Sequence, residues 1–209
     1  MTIAVGIYAD HVLPRVLDFA MSRPQVLQER ALALAEAHGE VLEIGFGTAL
    51  NLAYYPSAVE RLTVVDPADV LRKRVARRIA AAPMAVEIVH TDAAQLPLDA
   101  GQFDCVVTTW TLCTIPDVAS ALREIARVLK PQGWYLFLEH GRSSNPKVAR
   151  WQDRLNPIQR VVSCGCNLNR PIDNLIARAG LQITRLERYD MPKTPSIFAP
   201  HYRGRATVC

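Results

Sequence analysis

Five short apolar runs, near 41–45, 62–66, 86–90, 104–109 and 134–139, are separated by stretches patterned as helix, near 49–55, 68–82 and 118–130. Strands that alternate with helical patterns fold as a parallel sheet covered by helices on both faces. In the 118–130 stretch, Val118, Leu122, Ile125 and Leu129 recur at helical spacing. A helical region also precedes the first strand, over roughly 9–38. Leu13, Val16, Leu17 and Ala20 share one face of it, and Pro24 breaks it or starts a second helix. Residues 141–172 are polar, with Asn145-Pro146 and Asn156-Pro157, and read as a lid-like insertion. A helical run over 172–179 stops before Gly180, and two more strands are expected near 181–188 and 202–208.

The first strand ends in a way that suggests a ligand. Residues 41–49 read Val-Leu-Glu-Ile-Gly-Phe-Gly-Thr-Ala. Gly45 and Gly47 let the backbone turn with positive φ and approach a ligand with no Cβ between. Glu43 can accept hydrogen bonds from a cationic or hydroxylated group. The dinucleotide fingerprint G-x-G-x-x-G needs a third glycine where this chain has Leu50, so that geometry is lost. Alone, the segment is a ligand loop or an ordinary strand–turn–helix. Leu62-Thr-Val-Val-Asp66 places an acid about 20 residues past the loop, where open α/β sheets bind ribose hydroxyls. The alternative for Asp66 is a solvated residue at a strand end.

Further segments follow in order. Thr91-Asp92-Ala93-Ala-Gln-Leu-Pro97, Phe103-Asp104-Cys-Val-Val and Leu129-Lys-Pro-Gln-Gly133 join the acid and glycine pair of 43–47. Together they resemble the class I S-adenosylmethionine-dependent methyltransferases, with Ala49 where that family most often has glycine. Phe137-Leu-Glu-His140, Gly165-Cys-Asn-Leu-Asn-Arg170, His201-Tyr202-Arg203-Gly204 and Tyr8-Ala-Asp-His-Val-Leu-Pro14 extend the likeness over nearly the whole chain. They are similar to a small-molecule branch that includes the animal microsomal alkyl-thiol methyltransferases.

The resemblance implies one domain over 1–209 with a Rossmann-like, seven-stranded, mostly parallel sheet whose last strand is antiparallel. It implies S-adenosyl-L-methionine as cofactor, held by Glu43, Gly45, Gly47, Asp66, Pro67, Asp92, Ala93, Thr109 and Trp110. Asp92 would accept from the adenine amino group. Tyr8, Cys113, Trp151, Asn167 and Tyr202 would line the acceptor pocket. The expected reaction is methyl transfer to a small, largely apolar nucleophile, a thiol first. Phospholipid amine or small-molecule O- or N-methylation is the alternative, and a non-catalytic binder of the cofactor is the rival from another class. His140 either takes the acceptor's proton or hydrogen-bonds the lid. Asn167 and Arg170 either tie the lid or bind an anion.

Composition narrows the rest. At 209 residues, half hydrophobic and 21% charged, the chain suits one globular core. The animal enzymes carry an apolar N-terminal anchor. Here no apolar run approaches the ~20 residues needed to span a bilayer, so a cytoplasmic protein is expected, with peripheral membrane contact left open. Five cysteines, an odd set, do not look like a secreted disulfide framework. Cys164 and Cys166 supply two ligands where a structural zinc site wants four, so no metal is expected. The Arg72-Lys73-Arg74-Val-Ala-Arg77-Arg78 run is read as a solvated helix face rather than a phosphate-contacting patch. No aromatic residues interleave with it to stack bases, so nucleic acid is not an expected partner. Oligomeric state leaves no trace in the sequence.

Overall fold

The computed structural model describes residues 12–67 and 72–208. Seven strands form one sheet: β1 (Gly39–Ile44), β2 (Val59–Val65), β3 (Ala85–Val89), β4 (Phe103–Thr109), β5 (Leu129–His140), β6 (Leu181–Asp190) and β7 (Pro200–Val208). Their spatial order is β3-β2-β1-β4-β5-β7-β6. The pairs β1–β2, β1–β4, β2–β3 and β4–β5 are parallel. β7 is antiparallel to both neighbours and so runs against all the other strands. The expected Rossmann-like sheet with an antiparallel last strand is the fold observed.

The central strands are apolar on both faces because both faces are covered. Successive side chains point to opposite sides. Leu42, Ile44, Val106 and Phe137 join one core with Leu122 and Ile125 of α4 (Val118–Val128) and Ile172 and Ile176 of α6 (Ile172–Arg178). Val41, Leu62, Val64, Val107 and Leu136 join the other, with Leu34 of α2 (Pro24–Leu34). Chain order reverses between β1 and β4, and such switch points are where open α/β sheets place their ligands.

Pro24 starts a second helix: it occupies the first turn of α2, where its missing N–H costs nothing, and α1 (Leu13–Met21) ends before it. Leu13 of α1 is buried, while Val16, Leu17 and Phe19 are exposed. The stretch expected as helix near 49–55 is only a 3-10 turn, Leu50–Tyr54. In the next helical stretch, described residues form α3 (Arg72–Ala80). α4 is capped by Asp117, which accepts from Ser120 N, and ends at Val128. The polar 141–172 stretch holds a 17-residue helix, α5 (Pro146–Val162). Of its two prolines, Pro146 sits in the first turn, where Asn145 caps the helix, and Pro157 lies inside it. No described helix is long and apolar enough to cross a membrane.

Candidate functional site

At the carboxyl ends of β1, β2 and β4 lies a cavity of about 350 Å³, in the size range of small-molecule sites. Glu43, Gly45, Gly47 and Asp66 line one side, Thr109, Trp110 and Thr111 another, and Leu13, Leu17 and Met21 of α1 a third. Gly45 has φ +82°, and a Cβ there would stand 2.1 Å from Thr111 Oγ1. Only glycine lets the end of β1 close against the loop after β4. Gly47, at φ +53°, would point a Cβ into open space. Its N–H donates to Asp66 Oδ2 at 2.7 Å, which ties the end of β2 to the glycine loop. Ala49 also adopts a left-handed φ, +62°, and is buried.

Beneath the loop lies a buried charged network. Glu43 is 1% exposed. Asn51 Nδ2 donates to its Oε1 at 2.7 Å and Tyr55 Oη to its Oε2 at 2.8 Å. Burial pushes its carboxyl up to about 7, against the pull of both hydrogen bonds and of Arg30. Arg30, buried on α2, donates to Asn51 Oδ1 and to Thr109 Oγ1. Its guanidinium lies 4.9 Å from the Trp110 ring centre, and burial pulls it down to about 10. Among the described residues its Nε has no hydrogen-bond partner.

The basic run also turns inward in part. Arg78 Nη1 donates to Asp18 Oδ1 of α1 at 2.7 Å and to the Thr48 carbonyl, and Arg74 pairs with the same carboxylate. Asp18 is buried. Lys73, Arg74 and Arg77 are exposed, so the solvated-face expectation holds for them, although Arg74 also pairs with Asp18; it fails for the half-buried Arg78, which clips α1 to the glycine loop.

The opposite wall is built on backbone contacts. Trp110 takes φ +52°, and its N–H donates to the Leu138 carbonyl at 2.8 Å. Glu139, fully buried, accepts the Thr111 and Leu112 N–H groups at 3.2 Å each. Burial pushes this carboxyl too up to about 7. Trp110 Nε1 donates to His201 Nε2 at 2.9 Å, and His201 Nδ1 lies 2.7 Å from the Ala199 carbonyl. That pairing puts the ring proton on Nδ1, and burial holds the ring's pKa down to about 4. Arg170 donates to the Leu112 carbonyl, and Asn167 donates to the Cys113 carbonyl through N–H and Nδ2, both at 2.9 Å. Cys166 Sγ lies 3.2 Å from His140 Nε2. A hydrogen bond from Cys113, and then His140, hold the Cys166 thiol well below its ordinary range.

Of the expected cofactor residues, Glu43, Gly45, Gly47, Asp66, Thr109 and Trp110 meet at the cavity. Pro67, exposed, directly follows Asp66. Asp92 and Ala93 are not among its lining residues: Asp92 is exposed and accepts from Ala94 N at 2.9 Å, and Ala93 packs into the core. Tyr8 lies outside the described residues. Cys113 is buried beside Cys166 and His140, with Asn167 against it. Tyr202 is buried and its hydroxyl donates at 2.5 Å to the Arg142 carbonyl. Trp151 is 54% exposed on α5, with Arg154 against its ring. Arg30, Asn51, Tyr55, Asp18 and Glu139 were not anticipated from sequence. Glu139 did leave a signal: like Glu43, it is an acid at the end of an apolar strand.

The donor set fits the cofactor that the resemblance implies. A buried guanidinium with an unsatisfied Nε–H suits a carboxylate, the carboxyl of Glu43 suits a cationic amine, and Asp66 beside an open glycine suits a sugar hydroxyl. Comparison with known proteins points the same way. Residues 42–137 match a family model described as a methyltransferase domain. The human thiol S-methyltransferase TMT1A is 30% identical over 176 residues, which cover 79% of this chain and 69% of that protein. Human thiol S-methyltransferase TMT1B is 29% identical over 191 residues, 88% of this chain and 78% of the relative. Among solved structures, a putative methyltransferase from Bacillus halodurans superposes with a TM-score of 0.67 at 18% identity, covering 86% of this chain and 95% of that one. The 1,6-didemethyltoxoflavin-N1-methyltransferase of Burkholderia thailandensis, solved with bound 1,6-didemethyltoxoflavin and S-adenosylhomocysteine, gives 0.67 at 16% identity over 93% of this chain and 82% of its own.

Proposed function

This chain belongs to the S-adenosylmethionine-dependent methyltransferases, and from that premise we propose that it methylates the sulfur of a small, largely apolar thiol. The observation that carries the thiol assignment is the likeness to TMT1A, a thiol S-methyltransferase, over 79% of this chain. The cavity supports it, because Leu13, Leu17, Met21, Leu50 and Trp110 give it mostly apolar walls.

When bound, S-adenosylmethionine supplies an electrophilic methyl group. The chain's own task is then to hold, orient and keep dry. We assign Glu43, Gly45, Gly47, Asp66, Pro67, Thr109 and Trp110 to the cofactor, with Asp92 and Ala93 at the base end and Arg30 at the carboxylate end. The 110–114 loop, fixed by Glu139 and Arg170, faces the acceptor in this reading. Positioning of this kind is worth up to ~7–11 kcal/mol in favourable cases. A thiol with its ordinary pKa near 8.5 is already partly ionised near neutral pH, so the reaction needs no dedicated strong base. We place the protein in the cytoplasm, with small molecules as its substrates.

The test is turnover with a panel of alkyl thiols, primary amines, phenols and phosphatidylethanolamine, followed by mass spectrometry. The expected result is a methyl thioether and S-adenosylhomocysteine from the thiols alone. Methylated amines or hydroxyls with untouched thiols would overturn the thiol assignment. Tight cofactor binding without product from any acceptor would make the chain a binder and not an enzyme.

A further inference from the structure

Three side chains to which the proposed methyl transfer gives no chemical step converge from separate elements. Cys113 comes from the loop after β4, His140 is the last residue of β5, and Cys166 comes from the loop after α5. One ligand atom from each lies within 4.8 Å of the others, and Cys166 Sγ is 3.2 Å from His140 Nε2. We propose that Cys113, His140 and Cys166 bind one thiophilic divalent cation, zinc foremost. The proposal goes beyond the methyl-transfer reading and does not rest on it.

The donor chemistry selects the ion. Two sulfurs and an imidazole suit zinc and exclude magnesium and calcium, which take oxygen ligands. Zinc bonds of about 2.3 Å to sulfur and about 2.0–2.1 Å to nitrogen place tetrahedral donors roughly 3.3–3.8 Å apart. The observed spacing therefore needs only small rotations to close. Two thiolates and a neutral imidazole also cancel the charge of the ion, which matters where an unbalanced charge would be expensive. Cys113 is buried, but His140 and Cys166 are half-buried, so an ion can reach them.

The three donors are held before any ion arrives. Asn167, next to Cys166, donates to the Cys113 carbonyl through both its N–H and its Nδ2, so the two sulfur-bearing loops are already tied. Supporting contacts of this kind orient metal ligands in proteins. Among the described residues the His140 Nδ1 atom has no hydrogen-bond partner, whereas Nε2 already faces the Cys166 sulfur, so Nε2 is the ring atom placed to turn to the ion. Three protein ligands leave a fourth tetrahedral position open, the pattern of catalytic rather than structural zinc. Cys164, exposed and outside this group, is the cysteine whose spacing to Cys166 misleads.

The test uses tag-free, reduced protein and zinc alone. The expected result is one zinc per chain, retained against a chromophoric chelator. Cobalt(II) in its place should give thiolate-to-metal charge transfer and the intense visible bands of a four-coordinate site. Cys166→Ser and His140→Asn should each weaken zinc by roughly 100-fold or more, with circular dichroism unchanged. Cys166 is on a surface loop, so its serine variant keeps the fold. No zinc uptake at equimolar metal, a cobalt spectrum of an all-oxygen octahedral ion, or wild-type affinity in Cys166→Ser would overturn the proposal. So would reduced protein that takes up no metal and on exposure to air forms only a Cys113–Cys166 disulfide.

Discussion

The glycine-loop side of the cavity rests on charged side chains, whereas the side after β4 rests on backbone groups. On the first, Glu43, Arg30 and Asp18 are removed from water, and opposite charges meet, Arg30 near Glu43 and the half-buried Arg78 on Asp18. On the second, Glu139, Arg170 and Asn167 each grip main-chain N–H or C=O groups of the 111–113 turn. The difference teaches what each wall is for. In the proposed function, the first wall meets a charged ligand end with buried charge, and the second meets an uncharged acceptor with a turn held in shape.

Removing one partner from a buried charged network leaves the other stranded, at about 3–5 kcal/mol. Arg30→Met should therefore be the most damaging single change here, measured by urea unfolding at pH 8. The Arg30→Met/Glu43→Leu pair should cost less than the sum of the two single changes. Additive costs would break the idea that the two residues balance each other.

Next in size is a pH effect. Folded Glu43 keeps its proton up to about 7, while the unfolded chain loses it near 4.5. The folded state therefore binds more protons between those values, and stability falls as pH rises through that window and levels off above it. The difference between wild type and Glu43→Gln isolates this term, on the order of 3 kcal/mol at most. It should shrink from pH 5 to pH 7 and stay flat from pH 8. His201, held down to about 4, pulls total stability the other way below its ordinary value, which is why the difference is the quantity to measure.

The smallest effect expected belongs to the other wall. Glu139→Gln keeps one oxygen for two backbone N–H groups and should cost about 1–3 kcal/mol. It should raise KM for the acceptor more than it weakens cofactor binding, read by calorimetry. A cost equal to that of Arg30→Met, or a selective loss of cofactor binding, would erase the contrast between the two walls.

The sheet was legible because strand and helix periods survive in a single sequence, and the glycine loop because Gly45 and Gly47 have few other uses at a strand end. The buried network was not. Arg30 sits in Gln28-Glu29-Arg30, which reads as a solvated helix face, since charged side chains are rarely buried. Only the tertiary fold brings it under Trp110. Asn51 and Tyr55 were hidden for the same reason. α5 was obscured by prolines that proved compatible with a helix, one of them in its first turn. The likeness to a Cys-x-Cys pair drew the eye to Cys164, while the partners of Cys166 lay on β5 and beyond β4.

Ala49 shows what the third letter of the loop stands for. A methyl-bearing residue holds the left-handed turn that glycine adopts most cheaply, and its Cβ is packed away at 1% exposure. The lettered signature is thus shorthand for a torsion angle in a tight space. A search that insists on glycine there would pass over chains such as this one, and one that admits anything larger than alanine would gather chains whose loop has no room to close.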